Sequence, residues 1–235
     1  MCGRYTLTLP GEILAEVFGL DEVPELAPRY NIAPTQDVAA VRRVPAGAPR
    51  SLSMLRWGLV PAWQREPRNA ALLINARAES LQDKPAFREA FERRRCLIPA
   101  DGFYEWSGAS RQREAWLIKA GDGRPFAFAG LWEPPAGREP GHVGTCAIVT
   151  TEPNALMKPI HDRMPVILPE TDWNAWLDPD NRSARSLRAL LRPFPSEALT
   201  ALRVGPTVNH AGNETPDCIK PAPEPQQRGF GFETP

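Results

Sequence analysis

Proline punctuates this chain so densely that long helices are excluded. It contributes 27 of 235 residues, about twice the usual share of roughly 5%, and with 17 glycines it divides the chain into short apolar runs. A proline has no N–H to donate and crowds the preceding turn, so a chain cut this often is limited to short strands and helices of a few turns. Strand-like runs fall at 2–7, 37–44, 51–57, 115–120, 126–133, 144–151 and 164–168, and residues 96–106 read as two strand pieces around a Gly-containing bend. Helical spacing predicts helices at 11–20, with Ile13, Leu14, Val17 and Phe18 on one face, and at 86–94, with Phe87 and Phe91 together. Shorter helices are predicted at 154–160, 170–177 and 184–192, while the stretch carrying Pro24, Pro28 and Pro34 reads as loop. Many strands with few helices between them predict an α+β fold: a single domain over residues 1–220 with a largely antiparallel, barrel-like β-sheet core and short flanking helices. The tail, residues 221–235, is expected to be disordered.

Charge narrows the function classes. Twenty-eight Lys and Arg balance 28 Asp and Glu, which excludes a uniformly basic nucleic-acid binder but not a local basic face. The cations are 24 Arg and 4 Lys. Arg suits phosphates and flat rings, although a GC-rich genome gives the same bias. Val38 to Arg65 holds five Arg and no acid, with Trp57 and Trp63 interleaved. The stretch suits single-stranded nucleic acid, with guanidinium on phosphate and ring on base; it equally suits a solvated strand face over two core tryptophans. No run approaches the roughly 18 apolar residues of a membrane span, and the start is too polar for a signal peptide. A cytoplasmic location is expected, at the nucleoid if the cell is bacterial. Cys2, Cys96, Cys146 and Cys218 form no C-x-x-C, and His142, His161 and His210 lie apart, so neither a metal site nor disulfides are expected. Cys96 and Cys146 sit in apolar runs and read as buried small hydrophobes.

Cys2 is distinguished by its position. Once Met1 is removed, it carries a thiol and a free α-amine on adjacent carbons, with ordinary pKa values of roughly 8.5 and 8, both partly nucleophilic near neutrality. The amine condenses with an aldehyde to an imine, and the sulfur then closes a five-membered thiazolidine. An inert, frayed terminus is the alternative. Glu105, between Tyr104 and Trp106, is either a carboxyl raised by burial or a half-exposed strand carboxylate paired with an Arg. His161 is either a proton shuttle or a loop His held by Asp162 or backbone, and Asn75 either positions a reactant or makes a strand-end turn.

Seven segments in order resemble the SOS-response-associated peptidase (SRAP) family: Met1-Cys2-Gly3-Arg4-Tyr5, Arg29-Tyr30-Asn31-Ile32-Ala33-Pro34, Trp57 to Trp63, Ile74-Asn75-Ala76-Arg77-Ala78-Glu79, Arg95 to Trp106, Phe128-Ala129-Gly130-Leu131-Trp132, and Ile160-His161-Asp162-Arg163-Met164-Pro165. The resemblance runs from residue 1 to about residue 210. It implies an abasic-site processing protein that forms a covalent crosslink to single-stranded DNA through Cys2. Glu105 would be the general acid/base, His161 a proton donor and acceptor, and Asn75 the positioning group. It further implies that Arg4 and Arg77 clamp phosphates, that Pro34, Trp63 and Trp106 offer surfaces to bases, and that Thr150 donates to a phosphate. Trp57 and Trp132 are assigned to the core. The same site would release Met1 as a one-residue autopeptidase event, and β-elimination from the imine would give a lyase outcome. No cofactor is implied, and a monomer suffices. The rival readings are an N-terminal-cysteine peptidase acting on proteins and a non-catalytic reader of modified DNA. The Pro- and Arg-rich insert around 133–142 reads as a variable loop, and the tail after residue 220 matches nothing in the family pattern.

Overall fold

A computed structural model describes residues 2–45, 47–64, 72–108, 113–135 and 143–223. Its strands are β1 (Tyr5–Leu7), β2 (Arg29–Ile32), β3 (Asp37–Arg42), β4 (Ser51–Trp57), β5 (Asn75–Arg77), β6 (Arg95–Ala100), β7 (Gly102–Ser107), β8 (Glu114–Ala120), β9 (Phe126–Glu133), β10 (Thr145–Thr151), β11 (Met164–Pro165), β12 (Ile167–Leu168) and β13 (Leu199–Val204). The α-helices are α1 (Gly11–Phe18), α2 (Pro85–Arg93), α3 (Trp173–Leu177) and α4 (Ala184–Leu190). The α+β class, single domain and barrel-like core expected from many strands with few short helices are present.

Five strands close into a ring. β3 pairs with β4, β4 with β10, β10 with β9, β9 with β6, and β6 with β3; only the β4–β10 contact is parallel. Closing the ring satisfies strand edges that would otherwise be open. The β9–β10 seam is tight at one end and forked at the other. Where it is tight, Gly130 faces Cys96 on β6 and Ile148 on β10, and a Cβ at Gly130 would come within 2.6 Å of the Cys96 sulfur. At the fork, residues 164–168 wedge in as two strands: β11 pairs with β10 and β12 with β9. Between them, the Val166 N–H donates to the Val149 carbonyl and its carbonyl accepts from Ala129, both at 2.9 Å. The run therefore serves two neighbours, where the sequence suggested one strand.

A second sheet, ordered β13-β8-β7-β1-β2, rests on the barrel through aromatic rings. Tyr5 of β1 meets Trp57 at 5.5 Å and Phe128 at 5.7 Å, and Phe103 of β7 meets Phe128 at 6.0 Å, all edge-on. Such pairs add about 0.5–1.5 kcal/mol each beyond the area they bury. Trp57 is fully buried, as assigned, and Trp132 packs on the core beneath the Arg42 guanidinium, 4.4 Å from its ring centroid.

Several boundaries differ from the sequence reading. Arg29–Ile32, read as loop, is an edge strand pairing with β1 across an irregular register; Pro28 and Pro34 bracket it without interrupting it. Leu199–Val204 is a strand the hydrophobic pattern did not reveal, since its apolar residues alternate only loosely. The helix expected at 154–160 is a run of turns: the Asn154 carboxamide accepts from the Met157 N–H at 2.9 Å, and Pro159 cannot continue a helical ladder. At 170–177 a 3-10 turn, Glu170–Asp172, precedes α3. α1 stops at Gly19, whose left-handed backbone (φ 61°) lets its N–H reach the Ala15 carbonyl. Residues 221–223 dock on β13, with the Ala222 N–H donating to the Arg203 carbonyl at 2.8 Å. The remainder of the expected tail, 224–235, and most of the insert (136–142) lie outside the described residues.

Arg95 ties α2 and α3 to the barrel. It is 4% exposed, and its guanidinium donates to the carbonyls of Phe91 and Trp176, each at 2.7 Å, Asn181 at 3.0 Å, and Asp178. Burial lowers its pKa to about 10. Arg95→Met leaves four carbonyls without their donor, so a loss of about 3 kcal/mol is expected, seen as a fall in Tm of about 6–12 °C in a domain of this size. A Tm within about 2 °C of the parent would show that these bonds are dispensable.

Candidate functional site

The barrel and second sheet bring four predicted residues to one place. Cys2 precedes β1, which lies between β2 and β7, and is fully buried. Its carbonyl accepts a hydrogen bond from the Asn75 carboxamide nitrogen at 2.9 Å. Asn75 opens β5, a three-residue strand parallel to β10 that pairs Asn75 with Ile148 and Arg77 with Thr150. Glu105 comes from β7 and is 3% exposed. Its Oε2 lies 4.0 Å from Nε2 of His161, which follows the turns at 155–160.

The contacts at His161 Nδ1 define two ring states. Nδ1 accepts the backbone N–H of Arg163 at 3.0 Å and lies 2.8 Å from the Asp162 carboxylate. A neutral ring that accepts from Arg163 carries its proton on Nε2, toward Glu105, whereas a protonated ring turns its Nδ1–H to Asp162. Arg163 is itself anchored: its guanidinium forms two bonds to Glu79, at 2.7 and 2.9 Å, and one to the Thr150 carbonyl at 2.7 Å.

Electrostatics separate the two reactive groups from their ordinary behaviour. Burial raises the Glu105 carboxyl, an effect the nearby His161 partly offsets. Burial pushes the Cys2 thiol far above its usual range; Glu105 adds to that effect, and the Arg4 backbone N–H opposes it. Against the sequence reading of a thiol already partly ionised near neutrality, burial disfavours ionisation of this sulfur.

The residues expected to contact DNA divide into three groups. Arg77 is exposed on β5, and Trp63 is 66% exposed; Pro34 follows β2 and is half-buried. Arg4 and Trp106 are partly committed inside. Arg4 donates to the Asn31 side chain at 2.9 Å and the Val208 carbonyl at 2.8 Å, and its guanidinium lies 5.8 Å from the Trp106 ring centroid. Trp106 in turn donates from its indole to Asn209 at 2.8 Å. Thr150 departs from expectation. It is fully buried, its hydroxyl lies under Arg163 at 3.4 Å, and it cannot donate to an outside phosphate while that guanidinium is in place. Among the described residues no cluster of three or more His, Cys, Asp or Glu could hold a metal ion, and no helix is long and apolar enough to cross a membrane.

Sequence reasoning missed the brace behind these residues. Asn31, fully buried, accepts from Arg4 and donates to the carbonyls of Val208, His210 and Asn213 at 3.3, 3.1 and 2.9 Å. Glu214 accepts from the Asn31 N–H at 2.8 Å, the Arg29 guanidinium at 2.9 Å and the Tyr30 N–H. Asn31 stands within one of the seven matched segments, but nothing local in the sequence links it to residues 208–214.

Comparisons with known proteins agree with the motif order. The family model described as SOS response associated peptidase (SRAP) matches residues 1–211. The abasic site processing protein YoqW of Bacillus subtilis is 40% identical over 224 residues, 94% of this chain and 99% of that protein. The abasic site processing protein HMCES of Rattus norvegicus is 28% identical, covering 94% of this chain and 76% of that one. A crystal structure of a Bacteroides thetaiotaomicron protein superposes with a TM-score of 0.81 at 24% identity, covering 94% of this chain and all (100%) of that one, which shows the shared fold.

The raised Glu105 carboxyl makes stability depend on pH. A carboxyl favoured in its neutral form contributes fully below the ordinary value of 4.5, and that contribution is lost as pH rises through the raised value. Glu105→Gln is neutral at every pH. Thermal melts should find the variant and parent alike near about pH 4 and the variant more stable near about pH 8; an unchanging difference across that window would contradict the burial effect.

Proposed function

The chain belongs to the SOS response associated peptidase family, and we propose that it processes abasic sites in single-stranded DNA by crosslinking to them through Cys2. One observation carries the reading: Asn75 holds the backbone of residue 2 next to the buried Glu105 carboxyl and the half-buried His161 imidazole. An open abasic sugar presents an aldehyde. After removal of Met1, the Cys2 amine adds to that carbon, and one amine proton passes to the oxygen to give a carbinolamine. Glu105, whose carboxyl holds its proton more tightly because of burial, gives that proton to the departing hydroxyl, so water leaves and an iminium forms. The Glu105 carboxylate then takes the thiol proton as sulfur bonds to the iminium carbon. The product is a thiazolidine with a neutral ring N–H; one water has been released and Glu105 is again protonated.

His161 carries its Nε2 proton toward Glu105 in the neutral state and would assist opening of the sugar ring. The same groups supply the self-processing event, in which water cleaves the Met1–Cys2 bond. Elimination at the iminium stage would nick the strand and compete with sulfur closure. Arg77 is assigned to a backbone phosphate, Arg4 to a second through the part of its guanidinium not held by Asn31, and Trp63, Pro34 and the open face of Trp106 to bases. A single copy of the chain suffices for one lesion.

The test is a denaturing gel of the protein with uracil-containing single-stranded DNA, with and without uracil-DNA glycosylase, alongside intact mass of the protein. The reading expects a covalent band only after glycosylase, no band from Cys2→Ala, and loss of the Met1 mass. Glu105→Ala should slow band formation by about 10²–10⁴-fold while noncovalent binding changes little. Absence of a band together with turnover of peptides would transfer the function to proteolysis. Tight binding indifferent to Cys2→Ala would make the protein a reader.

Arg77→Ala should lower affinity and flatten the dependence of log K on log salt by about 0.7, the value of one phosphate contact on a single strand. An unchanged slope removes Arg77 from the backbone contacts.

A further inference from the structure

Asn75 also borders a cavity of about 670 Å³ that the crosslinking reaction does not use. Leu73, Ala86 and Phe87 give it an apolar lining, and the side chains of Arg77 and Lys84 stand on its walls, both from exposed residues. Glu79 and Arg163 line it too, but their two-bond pairing neutralises that acid. An apolar recess with cations at its rim suits a flat ring attached to a phosphate. Because Asn75 belongs both to this cavity and to the residue 2 contact, a group lodged there is joined to the reacting sugar by a short length of chain. We propose that this cavity is a nucleobase subsite that receives the base of a nucleotide adjoining the lesion. Its ring packs on Leu73, Ala86 and Phe87, and its phosphate lies against Lys84.

The subsite gives the protein a preference unrelated to base edges. The aldehyde identifies the lesion, and the pocket asks whether an intact nucleotide stands beside it. A lone abasic site would be engaged better than one in a run of lost bases. The inference rests on the DNA reading above, and its test separates the two.

Crosslinking rates at subsaturating protein are measured on oligonucleotides with one abasic site whose neighbour, on the 5′ side in one series and the 3′ side in the other, is either a normal nucleotide or a tetrahydrofuran spacer lacking the base. The parent protein should favour the normal neighbour by about 5- to 10-fold on one side only, the low end of a single stacking contact. Ala86→Trp, which fills the recess, should bring that ratio close to one. Lys84→Ala, at an exposed position, should weaken binding of both oligonucleotides and reduce the salt slope by about one contact. No preference on either side in the parent, or a preference that survives Ala86→Trp, overturns the subsite while leaving crosslinking intact. If no oligonucleotide of either series is crosslinked, it is the DNA reading that fails.

Discussion

The placement of residue 2 depends on how β1 is held, and the buried Asp101 carboxylate does most of that holding. It accepts from the Thr6 hydroxyl at 2.5 Å, the Thr8 hydroxyl at 2.5 Å and the Thr8 N–H at 2.6 Å. The backbone adds bonds from Asp101 to the Thr6 carbonyl and from Tyr104 to the Arg4 carbonyl, both at 3.0 Å. A chain terminus ordinarily frays. Here the first strand is tied to the β6–β7 bend by a charged acceptor whose donors are all supplied within the fold, and Tyr5 is sealed between Trp57 and Phe128. Fraying it would expose a buried carboxylate and an aromatic cluster together, a large fraction of ordinary domain stability. Residue 2 is thus held as firmly as a residue inside a sheet.

The other side of β1 is fixed from the far end of the sequence. Asn31 links Arg4 to the carbonyls of residues 208–213, and Glu214 gathers the N–H groups of Tyr30 and Asn31 with the Arg29 guanidinium. The Tyr104 hydroxyl donates to the Tyr30 carbonyl at 2.7 Å, and Tyr104, Val208 and Cys218 share a second small core. The segment after β13 is therefore part of the site's wall. It fixes the orientation of Arg4 and Trp106, and it accounts for the polar residues Arg29 and Asn31 on the edge strand β2.

The fold class was legible because proline and glycine spacing restricts segment length whatever the tertiary context, and the strand-like runs at 37–44, 51–57, 115–120 and 126–133 each became a strand. Misses occurred where tertiary partners decide. Arg29–Ile32 and Leu199–Val204 are edge strands set by β1 and β8, and residues 164–168 divide between two neighbours because the β9–β10 seam forks. The site was legible through the order of its motifs, not through local pattern: Asn75, Glu105 and His161 are far apart in sequence; the pairing of β5 with β10 and of β1 with β7 brings the first two to Cys2, and the turns at 155–160 bring His161 to Glu105. Burial was not legible. Thr150, expected to donate to a phosphate, is buried beneath Arg163; Cys2, read as a partly ionised thiol, is buried and so resists ionisation.

The resistance of this thiol to ionisation constrains the order of events in the proposed crosslink. A sulfur whose ionisation is opposed both by burial and by a neighbouring carboxylate is a poor first nucleophile, so the amine must react first. Iminium formation then places a positive charge two bonds from the sulfur's carbon, in surroundings where such charges act strongly, and it does so when Glu105 has just surrendered its proton. The conditions that kept the thiol neutral are thereby reversed: a cation now favours its ionisation, and a base of raised proton affinity stands ready to accept. Burial, which would be a handicap for an isolated nucleophilic thiol, makes sulfur attack contingent on the imine already being present. Free aldehydes that do not reach the amine meet an unreactive thiol, and selectivity for a properly seated substrate follows from the same desolvation that raises both groups.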